Sequence, residues 1–468
     1  MRTKAMRRKS NVNVLRKKTI IKRSRTERSK SENVVMRILE GPEQASLVTA
    51  LARRGATDLA GVEPAVRRIV EDVRRNGDRA LRRYATRWDG MRKNDSLRVP
   101  EDELHRAWEQ TAPELQQAIE HAAGNIRRYA EWQAPQDRTR NGGGVINNEW
   151  LPNNEWLHEI EPGVSVGQLV RPLESVGCYV PGGRYPLPST VLMTVIPAQV
   201  AGVRQIRVVS PRPAEATLAA AAFLGVREFY RVGGAQAIAA LAYGTEEIPR
   251  VDKIVGPGNL YVTAAKKLVA FDCAIEFLAG PTEAVVISAD GDPACIASDL
   301  VAQAEHDPDA LCIFITTSQA LAKKVQSEVQ MRTRDNPTAA QSLSRRGAIL
   351  LTATLEQAIE MANRIAPEHL TIPATLAPAV QHAGAVFLDE FTPQAAGDYV
   401  SGPNHVLPTA AMARVRGGLS VLDFVRVIGC QQVTRAGIRR IGPPGITLAT
   451  AEGLKGHAEA FRVRCSNA

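Results

Sequence analysis

The sequence changes character after residue 160, and this change restricts the fold more than any other feature. From there to residue 388, short runs rich in Val and Ile alternate with Ala-rich amphipathic segments. The runs have the length of strands buried on both faces, and the segments between them have the length of helices. Such alternation is typical of parallel sheets covered by helices, so we predict an α/β protein.

Eight runs are candidate strands: VGCYV (176–180), IRVVS (206–210), REFYRV (227–232), DKIV (252–255), AVVIS (284–288), CIFIT (312–316), AILL (348–351) and AVFL (385–388). The stretch FLAGPTE (277–283), which contains Gly and Pro, divides them into two groups of four. A chain of 468 residues also exceeds the usual size of one hydrophobic core. We therefore predict two sheets in two domains.

The segment before this region has a different pattern. Residues 36–135 have a helical period and are rich in Arg, Glu, Ala and Leu. Within them, RRNGDRALRRYATRWDG (74–90) predicts two helices separated at Gly77 and Asp78, because these residue types favour helix boundaries.

The first 30 residues form a strongly basic leader, with 13 Lys or Arg and one acid, Glu27. The remaining chain has 46 basic and 48 acidic residues, so the leader accounts for the net charge of +10. We favour a disordered tail here, or a protein that begins at Met36. An organellar transit peptide and a phosphate-binding arm stay open as alternatives. The leader has no aromatic residues for base stacking, and we expect no nucleic-acid partner.

The rest of the composition is that of a globular cytoplasmic protein. Hydrophobic residues make up 44% of the chain and charged residues 23%, and no run of about 18 apolar residues could span a membrane. The six cysteines are far apart and include no C-x-x-C pair, which favours neither a disulfide framework nor a cysteine zinc site. We expect a reducing, cytoplasmic setting without membrane association.

Three Gly-containing stretches follow candidate strands: CYVPGG (178–183), GGAQAIAAL (233–241) and GPGNLYV (256–262). Ligands of α/β proteins collect at such turns. The G-x-G-x-x-G fingerprint of many nicotinamide enzymes is missing, so a dinucleotide would have to bind without it. Ordinary strand-to-helix turns are the alternative interpretation.

Two patches carry the residue types of a metal site. Gln303 and His306 are three residues apart near the end of a predicted helix, where their side chains would share a face. Asp398 and His405 lie in a predicted Gly- and Pro-rich loop. Imidazole, carboxylate and amide-oxygen ligands suit Zn²⁺. Solvated surface side chains, or a histidine that caps a helix, are the alternatives.

Two further acid and imidazole pairs lie near these patches in the sequence. Glu452 and His457 fall in TAEGLKGHAEAF (450–461), which predicts one short helix. Glu368 and His369 are adjacent in IAPEHL (365–370). Because adjacent side chains point in different directions, this second pair suits two different proton transfers around one substrate.

Taken together, these stretches resemble the histidinol dehydrogenase family. Five blocks occur in the family's order: GCYVPGGRYPLPST, GGAQAIAALAYGTE, KIVGPGN, AGPTEAVVI with SDLVAQAEH, and APEHL with GDYVSGPNHVLPT. The resemblance runs from about residue 36 to the C-terminus. It implies an enzyme that uses Zn²⁺ and NAD to oxidise L-histidinol to L-histidine through L-histidinaldehyde, in the last steps of histidine biosynthesis.

The resemblance also implies roles for individual residues. The ligands of one Zn²⁺ per subunit would be Gln303, His306, Asp398 and His457. The proton-transfer pair would be Glu368 and His369. Substrate contacts are implied for Thr282, His405 and Glu452, together with His369 and the four metal ligands. NAD contacts are implied for Tyr179, Gln236 and Asn259.

Two positions depart from the family pattern. Thr282 stands where the family often has Ser, and Glu276 stands where it has Asp or Asn. Threonine keeps a hydroxyl that donates and accepts hydrogen bonds, so we expect function to survive. The added methyl group and the longer acid are expected to change how the pocket packs.

The implied fold has two Rossmann-like α/β/α domains of the aldehyde-dehydrogenase-like type, with small helical terminal pieces. The corresponding division is a leader (1–35), an N-terminal helical segment (36–155), a first domain with the NAD contacts (156–282), a second domain with the zinc and catalytic residues (283–420), and a dimer-exchanging tail (421–468). In the implied homodimer, Glu452 and His457 reach the partner's active site. A zinc- and NAD-dependent dehydrogenase of another polar alcohol, such as a sulfonated diol, is the alternative function.

Overall fold

The computed structural model of the protein describes residues 36–55, 59–92, 94–134, 156–182 and 185–467. The predicted basic leader lies outside these ranges. Among the described residues, no helix is both long enough and apolar enough to cross a membrane.

The elements are numbered along the chain. The strands are β1 (Arg37–Leu39), β2 (Trp156–Glu161), β3 (Val164–Pro172), β4 (Ser175–Tyr179), β5 (Gln205–Val209), β6 (Glu228–Tyr230), β7 (Lys253–Val255), β8 (Ala274–Ile275), β9 (Glu283–Ile287), β10 (Leu311–Thr316), β11 (Ala348–Leu351), β12 (His369–Ile372), β13 (Ala385–Leu388) and β14 (Val425–Val433). The helices are α1 (Gly41–Ala52), α2 (Glu63–Trp88), α3 (Glu101–Glu109), α4 (Pro113–Gln133), α5 (Pro188–Ala201), α6 (Glu215–Phe223), α7 (Gly234–Tyr243), α8 (Leu260–Val269), α9 (Pro293–Ala304), α10 (Gln319–Arg332), α11 (Pro337–Arg346), α12 (Leu355–Ile365), α13 (Gln394–Tyr399), α14 (Arg435–Ala451) and α15 (Lys455–Ser466).

The chain forms two compact units. Unit 1 contains the described residues up to Leu47 together with Thr282–Glu360, and unit 2 contains Val48–Pro281 together with the described residues from Met361 onward. The chain therefore passes from one unit to the other more than once.

Unit 2 contains a five-stranded sheet in the order β6-β5-β4-β7-β8, in which every strand pair is parallel. Helices cover both faces: α3, α4, α5 and α6 contribute to one hydrophobic core, and α2, α7 and α8 contribute to the other. The strand order reverses direction at β4, where β5 lies on one side and β7 on the other. In doubly wound sheets, the carboxyl end of the strands at such a reversal is where ligands bind.

The residues of β4 explain its central position. All five are buried, and they alternate between the two cores, with Val176 and Cys178 in one and Tyr179 in the other. A strand without a solvent face must be covered on both sides, which the Ala-rich helices α6 and α7 allow because their small side chains permit close packing.

Unit 1 contains parallel strands in the order β1-β11-β10-β9. Helices α9, α10 and α11 bury their apolar side chains against these strands around Phe314. The two predicted groups of strands thus belong to separate parallel arrangements, and the predicted α/β class is confirmed.

All eight candidate strands are present, and four features of the sheets were not predicted. These are β1, the short β8, the strand β12 that begins with His369, and an antiparallel sheet in the order β14-β3-β2. β12 has the sequence HLTI, in which polar and apolar residues alternate, so it lacks the continuous apolar run that marks most of the predicted strands. The helix break predicted near residue 77 is confirmed, because Gly77 leaves the helical conformation inside α2 with φ +48°.

Candidate active site

A cavity of about 360 Å³ lies at the carboxyl end of the parallel sheet of unit 2. Tyr179, which ends β4, lines it together with Gln236 of α7 and Asn259, which precedes α8. These three residues are the NAD contacts that the sequence resemblance implies, and three different elements of unit 2 bring them to one cavity. The cavity also lies at the reversal of strand order, where the topology alone favours a ligand site.

Hydrogen bonds fix the side chains of this cavity. The Tyr179 hydroxyl accepts a hydrogen bond from the Gly234 N–H at 3.1 Å. Burial raises the pKa of Tyr179 to about 12, so the phenol is neutral at physiological pH and has a proton to donate. The Asn259 Oδ1 caps α8 by accepting from the N–H groups of Tyr261 and Val262, at 3.0 and 3.2 Å. Its amide nitrogen is then the part of the side chain that suits a ligand.

Two helices begin at this cavity, α7 at Gly234 and α8 just after Asn259. Helix N-termini carry partial positive charge and favour phosphate groups. Glycine is required in these turns because neighbouring atoms leave no room for a side chain. A Cβ on Gly233 would lie 2.4 Å from Pro211, and one on Gly256 would lie 2.1 Å from the Tyr179 carbonyl oxygen. An ordinary strand-to-helix turn does not need glycine at such positions.

A buried ion pair supports the turn that carries Asn259. Lys266 Nζ lies 2.7 Å from Glu276 Oε1, and both side chains are at most 4% exposed. The same Glu276 oxygen accepts a hydrogen bond from the Gly256 N–H at 2.8 Å, while Lys266 donates to the Gly256 carbonyl oxygen. Glu276 is one of the two departures from the family pattern, and its longer side chain is accommodated by these contacts.

The second set of residues in unit 2 surrounds His369. Its Nδ1 lies 3.7 Å from Glu368 Oε2, and its Nε2 lies 3.7 Å from Asp398 Oδ1. The ring is 4% exposed and lies against Phe387, with a centroid distance of 5.8 Å. A buried imidazole between two carboxylates is well placed to take up a proton, because both carboxylates would stabilise the positive charge that it gains.

His405 is held in one orientation next to this set. Its Nδ1 lies 2.9 Å from the Asp398 carbonyl oxygen, which can only accept a hydrogen bond, so Nδ1 carries a proton. Its Nε2 lies 3.3 Å from the Thr190 hydroxyl. Asp398 itself lies in the short helix α13 and not in the loop that the sequence predicts.

The turn before Glu368 is stabilised from a distant part of the chain. Ala366 has φ +52°, a conformation that is unfavourable for alanine and ends α12. The Arg54 guanidinium donates to the carbonyl oxygens of Ile365 and Ala366. On the other side, the Ala385 N–H donates to the Glu368 carbonyl oxygen at 2.8 Å. These contacts fix the backbone that carries the acid and the imidazole.

Unit 1 contains three of the predicted site residues. The Thr282 hydroxyl donates to Gln303 Oε1 at 3.1 Å, so the threonine departure keeps the hydrogen-bonding role of a hydroxyl. Gln303 is buried in α9, but this helix ends at Ala304 and His306 lies exposed in the turn that follows. The prediction that Gln303 and His306 share one helix face is therefore wrong.

Glu452 and His457 lie in the C-terminal part of unit 2, and both side chains are exposed. Glu452 directly follows α14, which ends at Ala451, whereas His457 lies in α15. Between them Gly453 has φ +76°, which ends the first helix. The predicted single short helix is therefore wrong, and the two side chains stand on separate helices.

The structure offers no activated thiol among the buried cysteines. Burial raises the pKa values of Cys178, Cys273 and Cys312 to about 12. A thiol with such a pKa is a poor nucleophile at neutral pH.

Sequence reasoning missed three residues that support the two sites. Asp89 lines the cavity at the end of α2, Lys266 holds the Gly256 turn, and Arg54 holds the turn before Glu368. Asp89 directly follows α2, and nothing local in the sequence indicated that its carboxylate faces a turn 144 residues further along the chain.

The comparisons with known proteins agree with one another. A family model described as histidinol dehydrogenase matches residues 52–465. Histidinol dehydrogenase of Methanothermobacter thermautotrophicus is 43% identical over 431 residues, which cover 89% of this chain and 96% of the relative. That of Aquifex aeolicus is 44% identical over 423 residues, which cover 88% of this chain and 95% of the relative.

A solved structure is also similar. The crystal structure of histidinol dehydrogenase from Elizabethkingia anophelis superposes with a TM-score of 0.83 at 36% identity, and the match covers 92% of this chain and 98% of the other. Sequence identities of 36–44% over about nine tenths of the chain are well above what a shared fold alone would give. They show that the protein is an oxidoreductase. The chain belongs to the histidinol dehydrogenase family.

Proposed function

We propose that the enzyme oxidises L-histidinol to L-histidine through L-histidinaldehyde, with NAD as hydride acceptor and one Zn²⁺ per subunit, and so completes histidine biosynthesis. The observation that carries the proposal is the environment of His369. A buried imidazole lies 3.7 Å from each of two carboxylates, on Glu368 and Asp398. An alcohol oxidation needs a base at the hydroxyl, and this arrangement supplies one.

The donor groups of unit 2 fit a dinucleotide. The cavity presents a neutral phenol on Tyr179, amides on Gln236 and Asn259, and the N-termini of α7 and α8. Hydroxyl and amide groups can bind ribose, and helix N-termini favour a pyrophosphate. When bound, NAD would supply the hydride acceptor for each of the two oxidations.

The proposed metal ligands fit zinc by their chemistry. The amide oxygen of Gln303, the imidazoles of His306 and His457 and the carboxylate of Asp398 are nitrogen and oxygen donors without a thiolate. When bound, Zn²⁺ would supply a template that holds the amine and imidazole of histidinol. Thr282, His405 and Glu452 are proposed to contact the same substrate.

The first half-reaction needs one proton acceptor. We assign this role to His369, which takes the hydroxyl proton of the alcohol as hydride leaves the same carbon. The carboxylates of Glu368 and Asp398 stabilise the resulting imidazolium. Burial of the His369 ring excludes bulk water from this transfer. Arg54 holds the turn before Glu368 and so fixes the backbone that carries His369.

The second half-reaction needs a hydrated aldehyde. Glu368 is assigned to take a proton from the water that adds to the aldehyde carbon, and His369 acts again when the hydrate loses hydride. The adjacent positions of the two residues suit this division, because their side chains leave the backbone in different directions. The buried thiols have no part in the proposal, in keeping with their raised pKa values.

The product ratio tests the proposed reaction. Purified enzyme supplied with L-histidinol and excess NAD should form about two NADH for each histidinol consumed, because oxidation of an alcohol to an acid removes two hydride equivalents. NADH is measured by absorbance, and histidine by chromatography. A ratio of one, with histidinaldehyde as the end product, would contradict the four-electron reaction.

A substrate panel tests the choice of alcohol. The panel includes L-histidinol, its enantiomer and a sulfonated diol at matched concentrations. We expect activity with L-histidinol alone. Comparable turnover of the sulfonated diol would instead assign the scaffold to another polar alcohol.

We also propose that the enzyme is a homodimer in which Glu452 and His457 serve the partner's site. Both side chains are exposed on the C-terminal helices of their own subunit. Large apolar side chains are exposed nearby, with Leu448 66% and Val463 48% exposed. Exposed apolar side chains on one helical hairpin are typical of a surface that a second subunit covers.

Subunit complementation tests the shared site. A His369→Asn chain and a His457→Ala chain are each expected to be inactive, whereas their mixed dimer contains one intact site. After random reassociation, the mixture should recover roughly a quarter of the unaltered activity, because half of the dimers are mixed and each has one working site of two. No recovery, although native mass spectrometry shows mixed dimers, would place His457 in its own subunit's site.

A further inference from the structure

The cavity at the end of β4 contains a carboxylate that the proposed function does not use. Asp89, the residue that follows α2, lines this cavity, and it is the only acid among the described lining residues. It is 8% exposed, and burial raises the pKa of its carboxyl above the ordinary value. Burying a carboxylate costs free energy, so a nearly buried acid that borders a ligand cavity is a candidate for ligand binding.

Local hydrogen bonds hold this carboxylate in place. Asp89 Oδ2 accepts from the Gly233 N–H at 3.2 Å and from Gln236 Nε2 at 3.1 Å. One carboxylate oxygen is thus committed to the start of α7, and a carboxylate can accept further hydrogen bonds at its other oxygen. Because the amide nitrogen of Gln236 donates to Asp89, the amide oxygen of Gln236 is the atom that can accept a hydrogen bond from a ligand.

The lining of the cavity indicates which half of the dinucleotide it holds. None of Glu368, His369, Asp398 and His405 is among the described residues that line it. The nicotinamide ring must lie beside the proton acceptor, so it does not belong in this cavity. Ile69, Trp88 and Tyr261 provide an apolar and aromatic wall, which suits an adenine ring.

We propose that Asp89 selects NAD over NADP by accepting hydrogen bonds from the ribose hydroxyls of the adenosine half. This inference rests on the proposed use of a nicotinamide dinucleotide. A carboxylate binds a ribose hydroxyl and repels a phosphate on the same carbon, so one group both attracts NAD and rejects NADP. Arg212 lines the same cavity, and a guanidinium there would pair with a 2′-phosphate once the carboxylate is neutralised.

The test compares the two dinucleotides in one neutral variant. Asp89→Asn keeps an oxygen that can accept from Gly233 and Gln236 but removes the charge. We expect KM for NAD to rise and KM for NADP to fall with little change in kcat, so that the ratio of kcat/KM for NAD to that for NADP drops at least about tenfold. Asp102→Asn, an exposed acid of α3, is the matched control and should leave the ratio unchanged.

A second measurement uses the unaltered enzyme and therefore does not depend on how the variant folds. An NAD analogue that lacks the 2′-hydroxyl of the adenosine ribose should have a KM at least about tenfold higher than NAD. If the unaltered enzyme reduces neither NAD nor NADP with histidinol, the proposed function fails. If it reduces NAD but the analogue binds equally well, or Asp89→Asn keeps the ratio within about twofold, only the role of Asp89 is overturned.

Discussion

Replacement of His369 with Asn should lower kcat for L-histidinol about 1,000-fold, within the range of 100 to 10,000 that a positioned general base contributes. Such a loss corresponds to about 4 kcal/mol of transition-state stabilisation. Asparagine keeps a polar amide near the position of Nδ1 but is two heavy atoms smaller than the buried ring that lies against Phe387, so the change removes the proton acceptor at some cost in packing. Both oxidations should be slowed, because His369 acts in each of them.

The adjacent acid provides the internal comparison. Glu368→Gln should slow the oxidation of L-histidinaldehyde at least about tenfold more than that of L-histidinol, because only the aldehyde step needs a hydrated carbonyl. Each step is measured with its own substrate by NADH formation. Equal damage to the two steps would contradict the division of labour between Glu368 and His369.

A folding control shows whether the losses of activity come from the chemical step. Thermal unfolding of each variant should stay close to that of the unaltered protein, which would exclude collapse of the buried site. A large fall in the unfolding temperature would instead attribute the loss of activity to misfolding.

Removal of the metal should have the second large effect. After treatment with a strong chelator, activity should fall at least about a hundredfold, because the substrate loses the template that aligns its alcohol carbon. Zn²⁺ should restore the activity, whereas Mg²⁺ should not, since imidazole ligands favour zinc. Activity that survives complete removal of zinc would contradict the proposed cofactor.

A matched pair of exposed histidines sharpens this experiment. His306→Ala removes a proposed ligand, and His105→Ala removes a histidine on α3 that has no proposed role. Both side chains are exposed, so neither change should disturb a core. We expect His306→Ala to lose bound zinc, measured by mass spectrometry of the metal, and His105→Ala to retain it. Equal zinc content in the two variants would exclude His306 as a ligand.

Much of the fold could be predicted because it follows from local patterns. The eight candidate strands are short runs rich in apolar or aromatic residues, which have no helical period. Each of them is a strand in the structure. The helix break at Gly77 was predictable for the same reason, since glycine marks it within a few residues. β12 (HLTI) was not predicted, because it begins with an imidazole and contains no continuous apolar run.

The site was predictable in its chemistry and less so in its local geometry. The residues carried over from the family resemblance include the three that line the cavity, but where the sequence was used to place side chains, three inferences failed. Asp398 lies in α13 and not in a loop, His306 lies beyond the end of α9, and Gly453 separates Glu452 from His457. Helix ends depend on one or two hydrogen bonds and are therefore less certain than the elements that they bound.

By itself, the sequence determined the class of fold, the order of the strands along the chain and the kinds of reactive group. Only the tertiary structure decided which distant residues hold these groups: Asp89 binds Gln236 across 147 positions of sequence, and Arg54 binds Ile365 across 311. The physical reason is that periodicity encodes which face of a segment is buried, whereas a contact between distant segments depends on the path of the whole chain. Asp89 shows this difference, because only the tertiary structure places its carboxylate at a ligand cavity.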